Sequence, residues 1–156
     1  MIDSTLCYLY RGDEVLMMHR TRKKNDMNRD KWIAVGGRFE AGETPEDCAM
    51  REVREETGLT MLSPAYRGVV TFINDRYETE RMHLFTADRF EGEMTDCDEG
   101  ELVWIPRKAL NGLPMWEGDR IFHRLLDEGV PFFRLELVYS GEKLLSAVLD
   151  GKRLNI

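Results

Sequence analysis

The chain has 156 residues, 42% of them hydrophobic. That is enough for one globular domain and too few for two comfortable ones, so residues 1–156 are expected to form a single domain. The net charge of −7 speaks against a nucleic-acid duplex as partner, because duplex binding draws on basic surface to neutralise phosphates. No apolar stretch approaches the roughly 20 residues that span a bilayer, and the first residues lack the pattern of a signal peptide. The expectation is a soluble, cytoplasmic protein with no membrane partner.

Residues 3–10 and 14–19 are short runs of strand-forming and apolar side chains separated by Arg11-Gly12-Asp13, and they read as a hairpin. Residues 21–31 are polar and carry Arg22, Lys23, Lys24, Arg29 and Lys31. They read as a loop, either solvated or a basic rim that steers an anionic ligand. Trp32-Ile33-Ala34-Val35 is a compact strand ending in Gly36-Gly37, where glycine permits close approach of backbone to ligand. Strands follow at 66–73 and 81–87 across the turn Asn74-Asp75-Arg76. A short helix is expected at 106–110 and a longer one at 119–128, with Asp119 at its start and Gly129 at its end. A hairpin of 131–139 and 143–150 closes the chain. Mixed strands with few helices, not in regular βαβ order, indicate an α/β or α+β domain. Cys7, Cys48 and Cys97 are widely separated and read as small buried hydrophobes. His19, His83 and His123 show no zinc-ligand spacing.

The informative stretch is residues 37–59, GRFEAGETPEDCAMREVREETGL. Thr44 is placed as an N-cap, Pro45 in the first turn and Asp47 in a capping-box position, so a helix of about thirteen residues should follow. Gly58 supplies its stop. At about 100° per residue, Glu52, Glu55 and Glu56 share one face, while Ala49, Met50 and Val53 fall on an adjoining one. Carboxylates gathered in this way repel one another, and as hard oxygen donors they suit Mg²⁺ or Mn²⁺. Arg51 is placed to fix a neighbouring carboxylate, Glu43 or Glu55.

Gly37, Glu43, Arg51-Glu52, Glu55-Glu56 and Gly58 stand at the spacing of the Nudix box, and on those residues the chain is identified as a member of the Nudix hydrolases. The resemblance implies an α/β/α sandwich around a mixed sheet, with the box forming a loop and helix that hold Mg²⁺ or Mn²⁺ against a diphosphate. It implies Glu52, Glu55 and Glu56 as metal ligands, the Gly37 carbonyl as a further one, and Arg51 with Glu43 as their organising pair. Beyond the box, Asp98-Glu99, Trp104, Pro106, Met115-Trp116 and Asp119 resemble the MutT-like branch that hydrolyses oxidised purine nucleoside triphosphates. That likeness implies Glu99 as an additional metal ligand or proton acceptor, and Trp116 and Asp119 as contacts to the base. Ile33 and Gly118 stand where this branch has an asparagine and an aspartate that read the purine, so discrimination among bases should be weak. The implied substrate is a small nucleoside polyphosphate. ADP-sugar or dinucleoside polyphosphate hydrolysis is the alternative within the same chemistry, and a noncatalytic nucleotide sensor is the alternative outside it.

Overall fold

The structure is a computed structural model and describes residues 1–22 and 25–156. Its strands are β1 (Ile2–Arg11), β2 (Glu14–His19), β3 (Trp32–Ile33), β4 (Thr60–Met61), β5 (Ala65–Asn74), β6 (Glu80–Ala87), β7 (Phe90–Glu91), β8 (Glu101–Pro106), β9 (Phe133–Ser140), β10 (Lys143–Leu149) and β11 (Lys152–Arg153). Two α-helices, α1 (Pro45–Thr57) and α2 (Asp119–Asp127), and a 3₁₀ helix (Arg107–Gly112) complete the set. The main sheet has the order β11-β10-β9-β5-β6-β1-β2-β3, with β8 on the other side of β2, and β4 pairs with β7 apart from it. It is mixed: β1 runs parallel to β6 and β5 parallel to β9, while the remaining pairs are antiparallel.

The alternation of side chains along these strands makes the layers. In β1, Cys7 and Leu9 pack with Ala49 and Val53 of α1, whereas Tyr8 packs with Phe122 and Leu126 of α2. The same division separates Leu16 and Met18 from Val15 and Met17 in β2, and Phe85 from Leu84 in β6. A strand that is apolar at every position must be covered on both faces. The sheet is accordingly flanked by α1 on one side and α2 on the other, as in the expected α/β/α sandwich. Strand β9 is different: Phe133, Leu135, Leu137 and Tyr139 are buried while Arg134 and Glu136 face solvent, so this end of the sheet is covered on one face only.

What positions the site is a splay between β1 and β2. Their pairing is confined to the hairpin end, Tyr10 with Val15 and Arg11 with Glu14. The rest of that β1 edge is taken by the glycine segment, with Cys7 N donating to Val35 O (2.7 Å), Thr5 N to Gly37 O (2.9 Å) and Phe39 N to Asp3 O (3.0 Å). The chain entering the box is thereby stitched to the middle of the sheet.

The expected elements recur with shifted ends, and four strands were not anticipated: the two-residue β4, β7 and β11, and the longer β8. Residues 101–106 form β8, paired along the whole of β2. The short helix at 106–110 is a 3₁₀ helix starting one residue later. Helix α2 starts at Asp119, but the N-cap is Gly118 and no side chain caps it, so the Asp119 carboxyl is not spent on the helix end. Lys23 and Lys24 of the proposed basic rim lie outside the described residues. Among the described residues, no helix is long and apolar enough to cross a membrane, and Cys7, Cys48 and Cys97 are free and buried.

Beneath α2, His123 Nε2 stands 2.9 Å from the Tyr8 hydroxyl and Nδ1 3.2 Å from Asn111 Oδ1. The amide oxygen can only accept, so Nδ1 carries the proton and Nε2 accepts from Tyr8. Burial holds the imidazole neutral, lowering its pKa to about 4. Between that value and about 6.5 the unfolded chain binds a proton that the folded one refuses, so stability is full above the upper value and falls with pH toward the lower one. Urea titrations at pH 7 and pH 4.5 are expected to show His123→Gln losing less stability than the parent, by an amount of order 2–3 kcal/mol. Equal losses would mean that the histidine is not held neutral.

Candidate active site

Helix α1 begins as its sequence specifies. Thr44 Oγ1 accepts from Asp47 N (3.1 Å), Asp47 Oδ2 accepts from Thr44 N (3.2 Å), and Gly58 closes the helix at φ 81°. With Ala49 and Val53 fixed against β1, Glu52, Glu55 and Glu56 follow onto the face beside the glycine segment.

Arg51 organises the carboxylates. Its guanidinium forks onto Glu43, Nε to Oε2 at 2.7 Å and Nη2 to Oε1 at 2.8 Å. Nη1 donates to Glu52 Oε1 (2.7 Å) and Glu55 Oε2 (3.2 Å), and Nη2 also reaches Arg38 O (3.0 Å). A planar donor group suits this bidentate grip. The Arg51 hydrogen bond, followed by the backbone N–H of Glu40, holds Glu43 down at about pKa 2. Both partners suggested for Arg51 are thus engaged, Glu43 the more fully.

Glu56 is in a different position. It is 8% exposed; Oε1 accepts from Gly36 N at 2.7 Å, and Oε2 is buried with no hydrogen-bond partner among the described residues. Burial pushes its pKa up to about 9, with the Gly36 N–H opposing and the neighbouring Glu99 and Glu52 carboxylates adding to the rise. Glu99 thus stands beside the box helix although it comes from the loop before β8, and Arg20 Nη1 holds it at 3.3 Å from Oε2. Glu52 is raised as well, first by burial and in part by Glu55 and Glu99, with Arg51 opposing.

Among the described residues, no three histidine, cysteine or carboxylate side chains converge as a ready-made ion site, and Glu52 and Glu55 both bond Arg51. The Gly37 carbonyl, expected as a metal ligand, accepts from Thr5 N (2.9 Å) and from the Cys48 thiol (3.4 Å). The residue still shapes the site, because a Cβ on Gly37 would sit 2.5 Å from the Glu52 carboxyl. Any larger residue there would displace Glu52.

Glu52 and Glu99 line a cleft of about 390 Å³ together with Gly36, Gly37, the apolar Leu6, Ile33, Phe72, Met82 and Trp116, and Asp119. Trp116 is 5% exposed. It meets Phe72 and Tyr139 edge to face, and the Lys31 ammonium, paired with Glu142 (2.5 Å), lies 4.7 Å from its ring centre. It is therefore a wall of the cleft rather than a free platform. Asp119 is 8% exposed and accepts no hydrogen bond from another side chain, and burial raises its pKa to about 7, with Arg120 and Lys31 opposing. Gly118 contributes no side chain, and a Cβ there would meet Leu137 Cδ1 at 2.5 Å and the Tyr139 hydroxyl at 2.6 Å. Sequence reasoning missed Arg20, Asp26 and Asn28, which also line the cleft. Polar residues in a polar loop carry no local signal of this.

The NUDIX domain model matches residues 2–126. The chain belongs to the Nudix hydrolase family. Enzymes of this family act on nucleoside diphosphate derivatives and generally use divalent metal ions. The chain is 34% identical to "Uncharacterized Nudix hydrolase YvcI" of Bacillus subtilis over 96% of its own length and 95% of that protein's. It is 36% identical to the "Oxidized purine nucleoside triphosphate hydrolase" of Danio rerio over 67% of each chain. A solved MutT protein from Bacillus halodurans superposes with a TM-score of 0.86 at 30% identity, over 96% of this chain and 98% of that one.

The unpartnered Glu56 oxygen leads to a measurement on the metal-free protein. A carboxyl whose folded pKa lies above its unfolded value binds more protons in the folded state, so stability falls as pH rises from about 4.5 toward 9. Gln does not titrate. Glu56→Gln is therefore expected to raise the unfolding midpoint in EDTA, more at pH 8 than at pH 5. An unchanged midpoint at both pH values would show that the buried oxygen costs nothing.

Proposed function

We propose that the chain is a Mg²⁺- or Mn²⁺-dependent pyrophosphohydrolase that cleaves purine nucleoside triphosphates, oxidised purines among them, to the monophosphate and pyrophosphate. The observation that carries this reading is the buried Glu56 Oε2, without a hydrogen-bond partner among the described residues, close to Glu52 and Glu99, which line a cleft that also holds Ile33, Phe72, Trp116 and Asp119. The oxidised-purine preference rests further on likeness to the Danio rerio protein, which is named an oxidized purine nucleoside triphosphate hydrolase.

The donor set fits a hard divalent cation: every group is a carboxylate oxygen, and one of them is buried without a proton donor. Glu52, Glu55, Glu56 and Glu99 would hold it. When bound, such a cation neutralises charge on phosphoryl oxygens and makes its water more acidic. The protein's own residues do the rest. Arg51 orients Glu52 and Glu55 while Glu43 holds Arg51. Glu99, steadied by Arg20, accepts the proton of the attacking water. Ile33, Phe72 and Trp116 take the base out of water, and Asp119 meets its polar edge.

Hydrolysis should vanish in excess EDTA and return with Mg²⁺, and phosphate and pyrophosphate assays should identify pyrophosphate as the product. Activity that survives chelation would overturn the metal dependence, and orthophosphate alone would overturn the assigned cleavage. Glu99→Gln keeps the shape and removes the basic oxygen, so kcat should fall by at least tenfold with a smaller change in KM; a change confined to KM would move Glu99 to substrate binding. Asp119→Asn should change the ratio of kcat/KM among 8-oxo-dGTP, dGTP and dATP, because an amide nitrogen replaces an acceptor at the base edge. Identical ratios would place the base elsewhere.

A further inference from the structure

In the slot proposed for the base, Ile33 and Gly118 offer no side-chain hydrogen bond. The loop between β2 and β3 supplies one from a different direction. Trp116 Nε1 donates to Asn28 Oδ1 at 2.8 Å, and Asn28 lines the same cleft as Trp116 and Asp119. An indole nitrogen is only a donor, so the bond decides which end of the amide faces Trp116: Oδ1 is consumed there, and Nδ2 is the end left over. Among the described residues Nδ2 has no protein partner, and it is not sealed from solvent.

The amide is held in this orientation from behind. Asn28 N donates to Asp26 Oδ1 (3.1 Å), and Asp26 Oδ2 accepts from Arg20 Nε (2.8 Å) in an ion pair whose side chains are only 6% and 11% exposed. Arg20 in turn is fixed by Glu99 and by backbone, Asp30 N to Arg20 O at 2.7 Å and Arg20 N to Lys31 O at 3.0 Å. Such a group is pre-organised: its rotamer freedom is lost on folding and not at binding. A buried donor that a ligand fails to satisfy also costs more than the bond is worth when made, which is how a site rejects the wrong base.

We propose that Asn28 is a specificity-determining residue, its Nδ2 donating a hydrogen bond to an acceptor on the purine while Asp119 meets the same base. This deepens the base-binding reading given above and rests on it. The base that satisfies it must present an acceptor to Asn28, and the residue contributes to nucleotide choice without touching the phosphates.

The test is Asn28→Asp, which keeps an oxygen for Trp116 Nε1 and replaces the donor by a charged acceptor. Steady-state kinetics with 8-oxo-dGTP, dGTP, dATP and dCTP would be measured on the parent, on Asn28→Asp and on Asp119→Asn, each with a thermal unfolding midpoint. The expected result is a loss of roughly tenfold or more in kcat/KM on the preferred purine, about 1.4 kcal/mol. It should appear in KM more than in kcat, with altered ratios among the four nucleotides and an unfolding midpoint close to the parent's. Values within twofold of the parent for all four would overturn the role of Asn28. So would an equal loss on every nucleotide, which is the mark of a merely structural residue. If Asp119→Asn shifts the ratios while Asn28→Asp does not, the base site stands and this inference falls; if neither does, both fall.

Discussion

Five carboxylates, Glu40, Glu43, Glu52, Glu55 and Glu56, lie on or just before one short helix, and their mutual repulsion is what the site has to contain. Arg51 contains it. It bonds Glu43, Glu52 and Glu55 together, and the bidentate grip on Glu43 sets the plane of the guanidinium. Like-charge pairs a turn apart cost a few tenths of a kcal/mol each on an isolated helix. That is small beside the burial of Ala49 and Val53, which hold α1 on the sheet. The helix therefore tolerates the cluster. The cost concentrates on Glu56, which Arg51 does not reach and whose second oxygen is left without a partner.

The sheet determines how these charges meet the cleft. Because β1 gives one edge to β6 and the other to the glycine segment, the box enters from the middle of the sheet and not from its rim. The splay from β2 leaves the gap through which the carboxylates on the α1 side communicate with the slot on the α2 side. Glu99 reaches the same place from the other direction, at the entrance to β8, so the carboxylates have two independent covalent origins and one meeting point.

Much of α1 was legible because its signals are local: Thr44, Pro45, Asp47 and Gly58 each act within one turn, and the carboxylate face follows from helical spacing. The strands of β1, β2, β5 and β6 were legible for a similar reason, being runs rich in strand-forming and apolar side chains. Strand β8 was not, because it lies between an acidic run and Pro106, and its strand character comes from pairing with β2. The direction of the Gly37 carbonyl was invisible for a different cause: side-chain patterns do not report which way a peptide plane turns, and pairing with β1 turns this one. Asn28 was hidden most completely. Its position depends on Trp116, 88 residues away, and on the Arg20 and Asp26 pair behind it. Glu99 was reached only through resemblance, since nothing in residues 96–101 points to a helix beginning at residue 45.

Gly118 shows how packing and nucleotide choice are tied. The space a side chain would need at that position belongs to Leu137 and Tyr139, and the Tyr139 hydroxyl already accepts from Gly118 N at 2.7 Å. Restoring the aspartate of the resembling enzymes would thus drive a carboxylate into β9. A stricter purine filter at that position therefore requires the ends of the Leu137 and Tyr139 side chains to move aside and the Tyr139 hydroxyl to give up its place against Gly118.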